Sequence, residues 1–234
     1  MKRLFALITA LVLLAMPVFS MAEGEVQAII DRGTLNVGVK EDVPGFGLKD
    51  PATGEYTGLD IELAYTIAKA LWPDKDDAAI RDAVKFQPVT AKTRGPLVDN
   101  GEVDMVVATY TIKADRLLNY EFSKPYYVDG IGLMVKKDAG INSFADLDGM
   151  LIGVAQGSTT QDALTLAAQE IGITLDFDPM QDYPLLKQAL MGDQIDCFSV
   201  DKAILGGYLD DAVVILPDTF DAQPYGVAIK KGNT

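Results

Sequence analysis

Histidine is absent from all 234 residues, and cysteine occurs once, at Cys197. Without histidine there is no Ser-His or Cys-His triad and no imidazole metal ligand. A lone cysteine cannot close an internal disulfide, and inside the apolar run IDCFSV it reads as a small buried hydrophobe. GxGxxG, Walker A and GxSxG patterns are also missing, so nucleotide-binding and nucleophile-elbow readings have no residues to rest on. Positive charge is scarce: 20 Lys and Arg face 34 Asp and Glu, for a net charge of −14. Such a field excludes nucleic acid as a partner and repels anionic headgroups. Any site for an anion must therefore build its own local positive potential.

What is present is ordinary for a globular protein: 49% hydrophobic and 23% charged residues, in a length that suits one large or two modest domains. Residues 1–22 have the form of a cleaved signal peptide. Lys2 and Arg3 precede the apolar run LFALITALVLLAMPVF, and Ser20 and Ala22 give a small-x-small cut before Glu23. The run is short for a membrane anchor and carries Pro17. Cleavage would leave 18 basic against 34 acidic residues, a net charge of −16, and with no cysteine near the cut the product is expected to be free and soluble.

After a polar stretch, TLNVGVK (34–40) alternates as a strand does, and a loop with a DPATGEY turn suggests a hairpin. IELAYTIAKALW has one apolar helical face, with Asp60 placed to cap it. PDKDD ends that helix. A strand at 83–89, a short helix at 95–100 stopped by Asn100-Gly101, and a strand at 103–108 complete a strand–helix alternation typical of a parallel sheet. After Tyr127 the alternation restarts. Strands are expected at 131–137, 150–156, 174–179, 196–200 and 212–217, with helices between them, one opened by a capping box of Ser158 and Gln161. These α/β halves imply a cleft between them, with linkers near 127–130 and 220–224. The chain stops at Thr234 on a strand pattern without a covering helix, which reads as a fragment.

In open α/β sheets ligands sit beyond the carboxyl ends of strands. Lys40 ends the first strand; Thr109, Tyr110 and Thr111 end the third, with Arg116 a turn further on; Gln156, Gly157 and Ser158 join a strand to a helix; Asp201 follows DCFSV. Each has a plain alternative. Arg116 could pair with Asp115 or Glu121, Asp201 and Ser158 could be N-caps, and Lys40 and Arg94 could reach solvent. Phe46, Tyr126 and Tyr225 read first as packing residues. Together, three cations and one anion facing one crevice suit a zwitterion that carries a further negative group, because arginine grips a carboxylate with two donors and aspartate partners an ammonium.

The segments VGVK…TGEYTGLDIELA, TAKTRGPLVDNGEVDMVVATYTI…R…FSKPYY and IGVAQGSTTQDAL resemble the periplasmic amino-acid-binding proteins of ABC importers (solute-binding protein family 3), and among them the aspartate/glutamate binders. The resemblance covers most of residues 30–232. It implies a two-lobed periplasmic-binding-protein type II fold, α/β in class, with the ligand in a cleft between lobes joined by two hinge crossings. Lobe 1 would be 23–127 plus 221–234, short of the family's terminal helices, and lobe 2 would be 128–220. By position, Arg116 would hold the α-carboxylate, helped by Thr111, Ser158 and Thr159. Asp201 would take the α-ammonium with the Thr109 carbonyl, Arg94 and Lys40 would hold the distal carboxylate, and Phe46 and Tyr225 would wall the cleft. The protein implied is a periplasmic, monomeric receptor without cofactor that delivers aspartate or glutamate to a membrane permease. The same fold also resembles prephenate or arogenate dehydratases, for which Glu41 or Asp42 would supply the acid or base, and glutamine or sensory receptors share the binding chemistry.

Overall fold

A computed structural model describes residues 21–233. The expected leader lies outside the described residues apart from Met21 and Ala22, which open the first helix. The elements run in this order: α1 (Met21–Arg32), β1 (Leu35–Val39), β2 (Asp42–Val43), β3 (Gly47–Lys49), β4 (Tyr56–Thr57), α2 (Leu59–Leu71), α3 (Asp77–Ala83), β5 (Val84–Pro88), α4 (Arg94–Asp99), β6 (Met105–Val106) and β7 (Tyr120–Phe122). They continue with β8 (Tyr127–Lys136), β9 (Leu151–Ala155), α5 (Thr160–Ile171), β10 (Asp176–Met180), α6 (Tyr183–Met191), β11 (Cys197–Asp201), α7 (Lys202–Gly206), β12 (Val213–Ile215), β13 (Phe220–Tyr225) and β14 (Ala228–Lys230).

Two sheets define two lobes. The first has the order β5-β1-β6-β14-β7, with β1 parallel to β5 and β6 and with β14 antiparallel to β6 and β7. Its core of Val37, Val39, Ile61, Ala64, Ala68 and Val107 lies between this sheet and the helices. The second sheet has the order β10-β9-β11-β8-β12, and β13 also pairs with β8. Its two faces are covered by separate clusters, one around Leu133, Ile152 and Leu164 and one around Leu186, Leu190 and Phe198. A sheet buried on both faces explains why β9 and β11 read as continuous apolar runs rather than alternating ones.

The chain passes between the sheets along β8 and returns along β13, and these strands are antiparallel partners, with Tyr127 opposite Tyr225 and Asp129 opposite Gln223. A bulge at Asp221, whose φ is 34°, interrupts the register. The lobes also meet across the cleft. The Tyr183 N–H donates to Asp42 Oδ2 at 3.3 Å, and the Tyr208 hydroxyl donates to the Asp42 carbonyl. A Cβ on Gly157 would lie 2.8 Å from Lys92 Cα, and one on Gly207 would lie 2.8 Å from Pro44 Cβ, so glycine at both points permits the approach.

Several local expectations need correction. The polar stretch before the first strand is helical: α1 turns Ile29 and Ile30 to the core and stops at Gly33, φ 71°. The segment after PDKDD forms α3, capped by the Asp76 side chain on the Ala79 N–H at 2.8 Å. The capping box at Ser158 does not form; Thr159 is the N-cap without a side-chain cap bond, and Ser158 Oγ accepts only from the Thr160 N–H at 3.4 Å. Phe198 is fully buried in β11 between Tyr183 and Tyr208. Phe198→Ala is expected to cost about 3–5 kcal/mol of stability in urea unfolding; a loss below about 1 kcal/mol would show that this cluster does not support the second lobe.

Candidate functional site

The turn that follows β6 draws two arginines from neighbouring segments into the interior. Arg94 opens α4 yet is buried, because its guanidinium is turned inward: Nη1 donates to the Ala108 carbonyl at 2.8 Å and to the Thr109 carbonyl at 3.0 Å. Its Cζ lies 4.2 Å from the Tyr110 ring centroid, and that of Arg116 lies 4.6 Å from the same centroid. Arg116, also buried, donates Nη1 to the Thr111 carbonyl at 2.8 Å and Nη2 to the Gly157 carbonyl of the second lobe at 3.3 Å. Burial, with Arg94 adding repulsion, pushes its pKa down to about 10. The plain alternatives fall away: Arg94 does not reach solvent, and Glu121 pairs with Lys231 at 2.9 Å rather than with Arg116.

Lys40 is buried as well. Its ammonium lies 2.9 Å from Asp42 Oδ1 and 4.5 Å from the centroid of the Tyr183 ring. Burial lowers its pKa, and Asp42 opposes that shift. Lys40 and Asp42 also line a cavity of about 620 Å³ together with Thr90, Thr93, Gln181 and Asp182.

Asp201 does not cap α7; no side-chain cap bond is present, and its carboxylate accepts from the Tyr225 hydroxyl instead. Burial is the main cause that raises its pKa to about 6, with Asp129 adding to it. Tyr225 is fully buried; its ring stacks on Tyr127 at 5.8 Å and meets Phe46 edge-on at 5.8 Å. Phe46 packs edge-on against Tyr127 at 5.1 Å. Thus Phe46, Tyr127 and Tyr225 form one aromatic wall.

At the lobe junction, Thr111 and Thr159 both donate their hydroxyls to Gln223 Oε1, at 2.7 and 2.9 Å. Ser158 is half-buried beside them, and its N–H donates to the Ala155 carbonyl at 3.1 Å. Thr109 has φ 44°, a left-handed conformation that costs a threonine strain. The cost is offset by Asp60, whose Oδ2 accepts the Thr109 N–H at 3.1 Å while Oδ1 accepts the Tyr126 hydroxyl at 2.8 Å. Asp60 is thus not the cap of α2, which is Gly58; it is a buried clamp, its pKa raised to about 6 chiefly by burial. Among the described residues, Arg94 Nε and Thr109 Oγ1 are buried without a hydrogen-bond partner.

All ten residues singled out in the sequence lie in or beside this junction. Sequence reasoning missed the roles of Asp60, Tyr110, Tyr183 and Gln223. One signal was available for Asp60: it shares a helical face with Ala64 and Ala68, both fully buried, and a carboxylate on a core face needs a partner. Gln223 gave none, since its partners are 112 and 64 residues away.

The raised pKa of Asp201 sets a pH dependence. Between about pH 4 and 6 the folded chain binds a proton that the unfolded chain has released, so this group's contribution to stability falls as pH rises through that window. Asp201→Asn is therefore expected to stabilise the unliganded protein by up to about 3 kcal/mol near pH 7.5, and by almost nothing near pH 4. Urea unfolding at both pH values checks this; an equal shift at both would contradict it.

Comparison with known proteins agrees with this architecture. Residues 35–234 match the bacterial extracellular solute-binding proteins, family 3. The glutamine-binding protein of Geobacillus stearothermophilus is 38% identical over 208 residues, covering 88% of this chain and 76% of the relative. The glutamate-binding protein GluB of Corynebacterium glutamicum is 31% identical over 217 residues, covering 87% and 70%. Among solved structures, an ancestral amino acid-binding protein described as a precursor of cyclohexadienyl dehydratase superposes with a TM-score of 0.75 at 31% identity, covering 89% of this chain and 86% of that one. Two lobes, a charged cleft between them and a family match from the first strand onward lead to one conclusion: the chain belongs to the bacterial extracellular solute-binding proteins, family 3.

Proposed function

We propose that the chain is the extracytoplasmic receptor of an ABC importer and captures a free polar amino acid, glutamine or glutamate, for delivery to the membrane permease. The observation that carries this reading is the pair Arg116 and Asp201, buried charges of opposite sign supplied by different lobes. That pair suits the α-carboxylate and α-ammonium of one zwitterion held only when the lobes are together. Lobe 1 would comprise residues 23–127 and 221–234, and lobe 2 residues 128–220. Arg116 would exchange the Gly157 carbonyl for the α-carboxylate, with Ser158 and Thr159 at the start of α5 beside it. Phe46 and Tyr225 would pack on the aliphatic part of the ligand.

The distal end decides between ligands. Lys40 is already paired with Asp42, so the pair faces a ligand with both N–H donors and carboxylate lone pairs, which suits a carboxamide. Glutamine is therefore placed ahead of glutamate, as the 38% identity to a glutamine-binding protein also favours. The acidic preference expected from sequence remains the second reading, and the buried, unpartnered Nε of Arg94 is what favours it. A shorter ligand, aspartate, would leave the Lys40–Asp42 pair without contact. A dehydratase role lacks support from the residues assigned to it. Glu41 is half-exposed with Lys49 at 4.0 Å, and Asp42 is engaged by Lys40 and the Tyr183 N–H. The chain is proposed to act as a monomeric binder without catalysis.

Calorimetry at neutral pH with glutamine, glutamate, aspartate, arginine and histidine tests the reading. Glutamine is expected to bind most tightly, and Arg116→Met to weaken glutamine and glutamate alike by more than about thirtyfold. Asp42→Asn should shift the preference toward glutamate by about tenfold, because it removes the negative charge facing a distal carboxylate. If glutamate outbinds glutamine and Arg94→Met reverses that order, the acidic reading is correct instead. Failure to bind any of the five would overturn both.

A further inference from the structure

Helix α6 begins at the lobe junction. Asp182 caps it by accepting the Leu185 N–H at 2.9 Å, which fixes Tyr183 as its first residue. The first N–H groups of a helix have no partner within it. That of Tyr183 finds one in the other lobe, donating to Asp42 Oδ2 at 3.3 Å. The side chain returns to the same place. The Tyr183 ring is buried, stacked on Phe198 at 6.3 Å and edge-on to Tyr208 at 6.5 Å, and the Lys40 ammonium lies 4.5 Å from its centroid. One residue of the second lobe thus meets both members of the Lys40–Asp42 pair of the first, the carboxylate through its backbone and the ammonium through its ring. Burial chiefly pushes the pKa of its hydroxyl up, and the charges of Arg94, Asp42, Asp201 and Arg116 all act on it. The residue therefore belongs to the crevice as well as to the core of the second lobe.

Charge balance gives the ring contact a consequence. A buried ammonium needs compensation. Lys40 draws it from Asp42 at 2.9 Å and from the Tyr183 ring. The ring supplies attraction without adding a second negative charge. A neutral distal group, such as a carboxamide, leaves this balance as it is. A distal carboxylate has to share the ammonium with the ring and also meet the charge of Asp42. Without the ring the ammonium is less well compensated, and a second anion becomes a better partner for it.

We propose that Tyr183 is a specificity-determining residue of the ligand site: its ring, brought onto the Lys40 ammonium where the lobes meet, satisfies that cation with a neutral group and tilts the site from a distal carboxylate toward a distal carboxamide. The inference rests on the proposed reading that the ligand's distal group faces Lys40 and Asp42.

The test is the ratio of L-glutamate to L-glutamine affinity, measured by calorimetry at neutral pH. Tyr183→Leu removes the ring but keeps the backbone N–H, and it should raise the ratio about three- to tenfold. An unchanged ratio would overturn the proposal. Tyr183→Phe keeps the ring and should leave the ratio within about twofold of the unaltered chain. A change as large as that of the leucine variant would assign the preference to the hydroxyl instead and overturn the role of the ring. In a Lys40→Met background, Tyr183→Leu should no longer move the ratio, because the two residues act through one contact; a ratio that still moved would mean a merely structural effect. If Tyr183→Leu does not fold, phenylalanine at 183 is compared with 3,4,5-trifluorophenylalanine at the same position. The fluorines draw electron density from the ring face with little change of shape, so the ratio should rise about two- to fivefold, and equal ratios would overturn the proposal. Absence of binding of both amino acids by the unaltered chain would remove the site reading and this inference together, whereas binding with a ratio indifferent to Tyr183→Leu would remove only the role of Tyr183.

Discussion

Three cations are buried at one junction, and burying a charge without partners costs several kcal/mol. Much of the surrounding structure is what that constraint requires. Arg94 and Arg116 are placed over the Tyr110 ring and take three carbonyls of the 108–111 turn between them. The turn that presents those carbonyls includes Thr109 in a left-handed conformation. That conformation is held in turn by Asp60, itself a buried carboxylate. A strained threonine, a helix-face aspartate and two arginines thus form one set in which each member's cost is offset by the next. Removing any one exposes the others to desolvation without compensation.

The second constraint is that the cleft residues come from both lobes while the chain crosses only at β8 and β13. Pairing these strands to each other makes the crossing a short two-stranded ribbon fixed in register. Residues on that ribbon reach either lobe without belonging wholly to it. Tyr225 uses this position to contact Phe46 on one side and Asp201 on the other, and Gln223 uses it to contact Thr111 and Thr159. The lobes are therefore in contact at the crossing strands as well as where Asp42 meets Tyr183 and Tyr208.

Local physics made much of this legible in the sequence. Apolar runs gave the strands, since a strand covered on both faces needs no alternation, and strand ends gave Lys40, Thr109, Arg116 and Asp201, since ligands sit beyond them. What failed were choices that depend on distant partners. Asp60 has the residue type of a helix cap, and only tertiary contacts show that it clamps Thr109. Ser158 and Gln161 have the spacing of a capping box, but the chain enters α5 in helical geometry at Thr159, which leaves the serine outside capping position. The helix α1 was hidden because its polar composition outweighed the pair Ile29 and Ile30 that docks it.

The charge of the whole chain and the charge of its cleft have opposite tendencies, and distance reconciles them. Net charge acts through solvent and is screened within about 8 Å at physiological ionic strength. Lys40, Arg94 and Arg116 act from within a few ångströms in a medium where attraction is several times stronger than in water. The repulsion from a net charge of −14 therefore bears on the approach of an anion more than on its contacts inside the cleft. A zwitterion has no net charge to be repelled at a distance, and inside the cleft it presents both signs to groups of both signs. On this ground an acidic surface around a site rich in arginine would slow the approach of simple anions more than that of neutral zwitterions.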